Sequence, residues 1–536
     1  MTRITLTALL TSFLIITFSS HLLAQGDKAA SSLANRLETG SLEISDYNTA
    51  CYFALAGNNK LALTYLRKAI RDGFNSPKTL LEDTDLNSLH TEPEWPSFVK
   101  QVEENATENT GLNNFFFNKP GFWDSKYFKT PYKENISEDE KIAGLSKFWS
   151  EAKYNFANFD LVPEINIDSL YFEYLPKVKN TKSTIEYFNV LREMCAKLKD
   201  SHTLINAPAE LANEIYARPL MRTRLIEDKV LVVNADSSLR QKGIKPGMEI
   251  LMINGVPVKE YAAKNVIPYM SSSTGQDLMV RTYEYALLGG SINQPIELKL
   301  ADEKGKTFDQ IINRATSAVR STKIFYPPVE YKLLPGNISY LAINSFLTDS
   351  GSRYFKQHYA EISQSNGLII DLRNNGGGST DWEILECLID KPVSVHKAYS
   401  REYIPVFRAW GRPQSIWGNV DGIGPNGKNF YTKPVILLIS ARTFSAAEDF
   451  SAAYKSMKRG LIIGEASGGS TGQPLGFTVI GNITAQVTSK RDQYPNGDDF
   501  VGKGIQPDMV VKPTVSDFRK GIDTELEAAL KELRKK

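Results

Sequence analysis

Hydrophobic spacing changes character along the chain, and each change marks a region. Between residues 34 and 105 apolar positions recur every three or four residues. In NTACYFALAGNNKLALTYLRKAI, Ala54, Leu55, Ala62, Leu66, Ala69 and Ile70 fall on helical periods. A polar, Asn- and Phe-rich stretch follows, and helical spacing resumes at SEDEKIAGLSKFWSEAKYNF, where Ser137 and Glu140 have the spacing of a capping box. In STIEYFNVLREMCAKLK, Ile185, Phe188, Leu191, Met194, Cys195 and Leu198 share one helix face, and the helix runs directly into Asp200-Ser201-His202-Thr203. From about residue 216 the period shortens to that of strands: LMRTRLI, KVLVVNA, then GIKPGMEILMINGVPV, with a hairpin turn at Asn254-Gly255. Past residue 320, buried-type strands (NISYLAINSF, GLIIDLR, PVILLIS, LIIGE) alternate with helical stretches, which predicts an α/β core around a largely parallel sheet.

A chain of 536 residues exceeds one hydrophobic core, so several domains are expected. Hydrophobic residues make up 42% and charged residues 23%, the balance of a globular protein. The net charge of +2 gives no basis for nucleic acid or an anionic membrane as principal partner. Met1-Thr2-Arg3, the apolar run from Ile4 to Phe18 and a cut after Ala24 read as an export signal. That run is shorter than the roughly 20 residues of a spanning helix, so no membrane span is expected after its removal. Cys51, Cys195 and Cys387 are odd in number, widely spaced and set in helical patterns, as buried free thiols are. The five histidines form no cluster and no ligand spacing appears, so neither a metal nor a cofactor is expected.

The spacing of Ala50, Gly57, Ala62 and Ala69 resembles one tetratricopeptide repeat. A lone repeat cannot bury its own faces, which favours a hairpin packed on the rest of the protein over a peptide-binding array. The 240s segment resembles the strand pair of a PDZ-like domain, a fold that binds peptides by adding a strand to a sheet edge; a β-domain that only braces the fold would show the same hairpin.

Three elements carry the candidate chemistry. Ser445, in PVILLISARTFSAAEDF, falls where a strand and turn give way to a helix, so free N–H groups and the helix dipole favour negative charge beside its hydroxyl. Such a serine is either a cap or a nucleophile whose attack creates an oxyanion. A serine needs a base, and His202 is the residue type matched to neutral pH, although a histidine after a helix also serves as a C-terminal cap. Asn374-Asn375-Gly376-Gly377-Gly378, after the strand GLIIDLR, permits close backbone approach and could donate N–H groups to an oxyanion. No Lys-Ser/Thr pair follows the glycines, which argues against a phosphate loop. Glu448 reads as a complement to the helix dipole, Asp371 and Arg373 as a structural pair, Ser467 to Gly472 as a mobile loop beside a cleft, and the aromatic stretch from Arg401 to Gly418 as a lid or packing.

DLRNNGGG, a serine in TFSAAE some 70 residues on, IIGE and then GIQPD together resemble the C-terminal-processing peptidase and tricorn protease family over roughly residues 140 to 515. The resemblance implies a crotonase- or Clp-protease-like α/β core, a PDZ-like domain before it, and Ser445 as nucleophile. In one branch of that family a lysine about 25 positions later activates the serine. Here Gly464-Glu465-Ala466-Ser467-Gly468-Gly469-Ser470 puts a serine at that place, so the resemblance turns to the tricorn-like branch, with His202 as base. By the same likeness Ser201 would be the second serine and Asp499 the acidic member, with Asp498 competing, and Ala446 and Gly376 would supply the oxyanion N–H groups. The expected organisation is a signal at 1–24, a tetratricopeptide-like hairpin region at 25–110, a helical cap carrying the Ser-His pair at 111–215, a PDZ-like domain at 216–320 and the peptidase core at 321–536. The activity implied is an exported serine endopeptidase acting on peptides or unfolded protein tails; a non-catalytic envelope scaffold and a Ser-His esterase or amidase are the alternatives.

Overall fold

A computed structural model describes residues 45–115, 122–123, 125–324, 326–426 and 430–535; the expected export signal lies outside them. Among the described residues no helix is long and apolar enough to cross a membrane.

Helices Asp46–Leu55 and Asn59–Arg71 pack together and bury Ala50, Phe53, Ala62, Leu66 and Ile70 in an apolar cluster closed by Leu80, Leu86, Leu89 and Phe98. Ser137 caps helix Glu138–Asn155 in a complete capping box, its side chain accepting from the Glu140 N–H while Glu140 accepts from the Ser137 N–H. That helix packs with Ile167–Asn180 and Thr184–Ala196 around Leu145, Phe148, Tyr174, Phe188 and Leu191. The same cluster takes in Val479, Ile483, Ala485 and Val487 from far down the chain, so the helical cap shares one core with strands Pro474–Ile480 and Ile483–Thr488.

The β-domain is antiparallel, in the order Met221–Ile226, Lys229–Ala235, Glu249–Ile253, Ile296–Ala301, Thr307–Ile312. Asn254 and Gly255 have φ of 48° and 76°, the left-handed pair a two-residue hairpin requires, and they join Glu249–Ile253 to Val256–Pro257. This is a PDZ-like β-domain in the coarse sense of an antiparallel sheet with short helices.

The core sheet runs Met509–Val510, Leu461–Gly464, Val435–Ile439, Gly367–Asp371, Ile338–Ile343, Val329–Leu334. All pairings are parallel except the last, where Val329–Leu334 closes one edge antiparallel. Gly367–Asp371 and Val435–Ile439 are buried at every position, as central parallel strands covered on both faces must be. Both strands end near each other, so the glycine run after Asp371 and the turn before Ser445 meet at the carboxyl edge of the sheet, where open α/β sheets gather their ligand-binding loops.

Candidate active site

Ser445 stands between strand Val435–Ile439 and helix Ala446–Met457 with φ 58° and ψ −129°. This is a strained conformation for a residue with a side chain, and it turns the hydroxyl away from the helix it precedes. Ser445 makes no side-chain capping bond, so the cap reading fails. Strand, sharp turn, serine and helix follow one another here in the backbone layout that a nucleophile elbow uses.

His202 reaches it from the helical cap. Lys199, with φ 46°, ends the preceding helical turn, and Asp200 folds the next residues by accepting from the His202 and Thr203 N–H groups at 3.1 and 2.9 Å. Asn158 and the Thr488 hydroxyl donate to the same carboxylate. Strand Leu204–Asn206 then pairs antiparallel with Ile483–Thr488, fixing the loop to the second core. The imidazole stacks on Phe444 at 4.6 Å between centroids, with Nε2 3.0 Å from Ser445 Oγ and Nδ1 2.8 Å from Ser470 Oγ. Burial lowers the pKa of His202 below its ordinary value, against an upward pull from Asp200, so the ring is neutral at pH 7.

The segment from Ser467 to Ser470, expected as a mobile loop, is buried and fully engaged. Glu448, on the first turn after Ser445, is completely buried and accepts from Ser467 Oγ at 2.5 Å, from the Gly469 N–H at 2.7 Å and from the Ser470 N–H at 2.9 Å. Its carboxyl is therefore a clamp on the loop that presents Ser470 to the ring, rather than a surface complement to the dipole. Burial pushes its pKa up, to about 8, although all three donors favour the charged form.

Ser201 and Asp499, expected by likeness as the second serine and the acidic member, do not touch the His202 ring. Ser201 points its hydroxyl away from His202 and donates to Asp277 at 2.6 Å, an acid shared with Ser272 and Arg281. After the Asp200 turn the Ser201 hydroxyl bonds Asp277 while the His202 ring faces Ser445. Asp499 accepts from Gln493 at 2.8 Å and faces Arg491 at 3.4 Å; Asp498 accepts from Asn496. Both acids belong to the turn after Arg491–Gln493, outside the chain from Ser445 through His202 and Ser470 to Glu448. Asp499→Asn should accordingly leave kcat within a few-fold of wild type, as surface changes away from the reacting atoms do, which a steady-state assay reads directly.

Sequence reasoning missed the roles of Ser470 and Glu448. The signal for Ser470 was present as a serine at a position where a charged activator was sought. That for Glu448 was an acid one turn into an otherwise buried helix. It also missed segment 271–281 of the β-domain, where Ser273 Oγ accepts from the Ser201 N–H at 2.9 Å and Thr274 Oγ1 donates to the Gly468 carbonyl at 2.7 Å. One short stretch thus braces both the histidine loop and the Ser470 loop.

Opposite the ring, the glycine run abuts Ser445. A Cβ on Gly377, at φ 97°, would lie 2.6 Å from Ser445 Cβ and 2.8 Å from the Phe444 carbonyl oxygen, so only glycine fits. The Gly377 N–H donates to Asn375 Oδ1 at 2.8 Å. The N–H groups of Gly376 and Ala446 have no protein acceptor among the described hydrogen bonds. Arg373 pairs with Asp371, Asp523 and Glu525, a structural network at the strand end.

Residues 337–511 match peptidase family S41. The C-terminal processing peptidase of Tetradesmus obliquus chloroplasts is 27% identical over 298 residues, covering 54% of this chain and 58% of that protein. The carboxy-terminal-processing protease of Bartonella bacilliformis is 23% identical, covering 56% of this chain and 61% of its own. The chain thus spans about three fifths of the length of these relatives. The tricorn protease of Thermoplasma acidophilum is 23% identical over 76% of this chain and 36% of its own. Among solved structures, mature CPAF complexed with lactacystin superposes with a TM-score of 0.56 at 15% identity, covering 74% of this chain and 99% of that one, a likeness of fold. Residues 337–511 thus match peptidase family S41, and the relatives that the chain resembles include both C-terminal-processing and tricorn proteases.

Proposed function

We propose that this chain is an exported serine endopeptidase that cleaves peptides or unfolded protein tails through an acyl-enzyme on Ser445. The observation that carries the reading is the 3.0 Å approach of His202 Nε2 to Ser445 Oγ, with Nδ1 held by Ser470. A proton on Nδ1, donated to Ser470 Oγ, leaves Nε2 free to accept the Ser445 proton as Oγ attacks the scissile carbonyl. The Ala446 and Gly376 N–H groups, without protein acceptors, stand ready for the oxyanion. His202 then passes the proton to the departing amine, and water, deprotonated by the same ring, releases the acyl group. A neutral serine at Nδ1 stabilises imidazolium less than a carboxylate would; Asp200, which pulls the ring's pKa upward through space, supplies part of the missing field.

This reading extends to architecture: a crotonase- or Clp-protease-like core at 321–536, a PDZ-like domain at 216–320 that offers a sheet edge to the substrate, a cap at 111–215 that delivers the base, and the tetratricopeptide-like hairpin at 25–110.

Unfolded casein, a peptide library and a simple aryl ester, each offered to wild type and Ser445→Ala, test the proposal. Cleavage of protein and peptides that Ser445→Ala lacks is expected. Ester turnover without peptide cleavage would make the chain an esterase, and no Ser445-dependent turnover of any of them would leave a scaffold.

The pH dependence follows from the ring. Because burial favours neutral His202, the base form persists below the ordinary histidine range. The acid limb of kcat/KM should fall below pH 6.5, near which an unperturbed histidine would place it. The neutral ring also contributes stability that is present above the unfolded value and is lost as pH falls through the lowered one. A pH–rate profile with its acid limb above 6.5 would contradict this.

A further inference from the structure

Far from Ser445, the helical hairpin region buries a second set of reactive side chains. Cys51 on helix Asp46–Leu55 and Asp83 and Asp85 at the start of the 3-10 turn Thr84–Leu89 are all buried, and a ligand atom from each lies within 4.8 Å of the others. Asp83 Oδ2 accepts from Tyr47 at 3.0 Å and from Cys51 Sγ at 3.6 Å, and its Oδ1 accepts from the Asp85 N–H. Asp85, only 5% exposed, has a carboxylate oxygen, Oδ1, without a hydrogen-bond partner among the described residues. Among the described residues no lysine, arginine or histidine forms an ion pair with Asp83 or Asp85, although an apolar cluster surrounds them. Two carboxyls and a thiol brought together in an apolar setting, one oxygen unpartnered, need either protons or a cation.

We propose that Cys51, Asp83 and Asp85 form a binding site for a zinc ion that staples the hairpin region to the turn after it. The donor set supports that metal: a thiolate favours zinc over calcium or magnesium, and carboxylates complete such sites. Tyr47 or a water supplies the fourth position. A thiol must lose its proton to ligate, so zinc should bind more tightly as pH rises. Spacing in the sequence concealed the site, because Cys51 and the two acids come from separate elements and show no ligand motif. A small helical unit with one modest core is also where a metal staple has most effect.

Full-length exported chain, stripped with EDTA and titrated with cobalt(II), should take up one ion per chain with a thiolate-to-cobalt charge-transfer band. Zinc should displace it. Cys51→Ala should abolish the band while Cys387→Ala, a buried thiol elsewhere, keeps it. Asp85→Asn guards against simple misfolding: it removes a buried unpaired carboxylate, so its metal-free form should melt no lower than the metal-free wild type. Zinc should then raise the melting temperature of wild type, reversibly with EDTA, and leave Asp85→Asn unchanged, with at least about tenfold weaker uptake. Absence of the thiolate band in wild type, or equal zinc stabilisation in wild type and Asp85→Asn, would overturn the proposal.

Discussion

Ser445→Ala should lower kcat for peptide cleavage by about a millionfold, the loss seen when a hydrolase nucleophile that acts as one unit with its base is removed. The fold should survive, because Ser445 makes no capping bond and alanine occupies the same space. Ser445→Gly should be equally inactive but more stable. At φ 58° and ψ −129° a side chain is strained, and glycine relieves roughly 1–3 kcal/mol of that strain while giving back up to about 1 kcal/mol in unfolded-state entropy. Denaturant melts of the two inactive variants therefore separate strain from chemistry. If Ser445→Gly melts below Ser445→Ala, the elbow is not the strained element described above.

The next largest effect belongs to Glu448. Glu448→Ala leaves Ser467 Oγ and the N–H groups of Gly469 and Ser470 without their buried acceptor. At about 1–3 kcal/mol for each orphaned donor, a loss of several kcal/mol is expected. A shift of about 1 Å in Ser470 would cost on the order of a hundredfold in kcat, because the ring would lose its alignment on Ser445. Glu448→Gln keeps one accepting oxygen but turns an amide toward a donor, so its loss should be intermediate. It also tests the proton balance. Burial raises the folded pKa from 4.5 to about 8, so the protonated carboxyl contributes stability that is complete below 4.5 and is lost as pH rises through about 8. Glutamine does not titrate, and the stability of Glu448→Gln should lose that slope.

Much of the frame was legible because local rules and tertiary demands agree. Asn254-Gly255 makes the hairpin its turn chemistry dictates, Ser137 and Glu140 cap as spaced, and GLIID is a strand buried on both faces. Ser445 and His202 were legible as types, a serine at a strand-to-helix turn and a histidine after a helix. What could not be read was which side chains meet the far side of the ring. Ser470 lies 268 residues from His202, and its role depends on the Glu448 clamp, which in sequence is an ordinary acid in a first helical turn. Ser201 matched the second serine by motif position, but its hydroxyl donates to Asp277 of segment 271–281. Asp499 stood at a suitable motif distance, yet Gln493 and Arg491 hold it in its own hairpin. The glycine run was legible as a close approach, though the residue that Ser445 touches is Gly377, leaving Gly376 with its N–H free of protein acceptors among the described residues.

Intact-mass analysis after treatment with a fluorophosphonate probe tests the central claim, that His202 activates Ser445. One adduct per chain on wild type, mapped to Ser445, absent in Ser445→Ala and slowed by orders of magnitude in His202→Ala, is the predicted result. An adduct that forms as fast in His202→Ala as in wild type, or that maps to another serine, would contradict it.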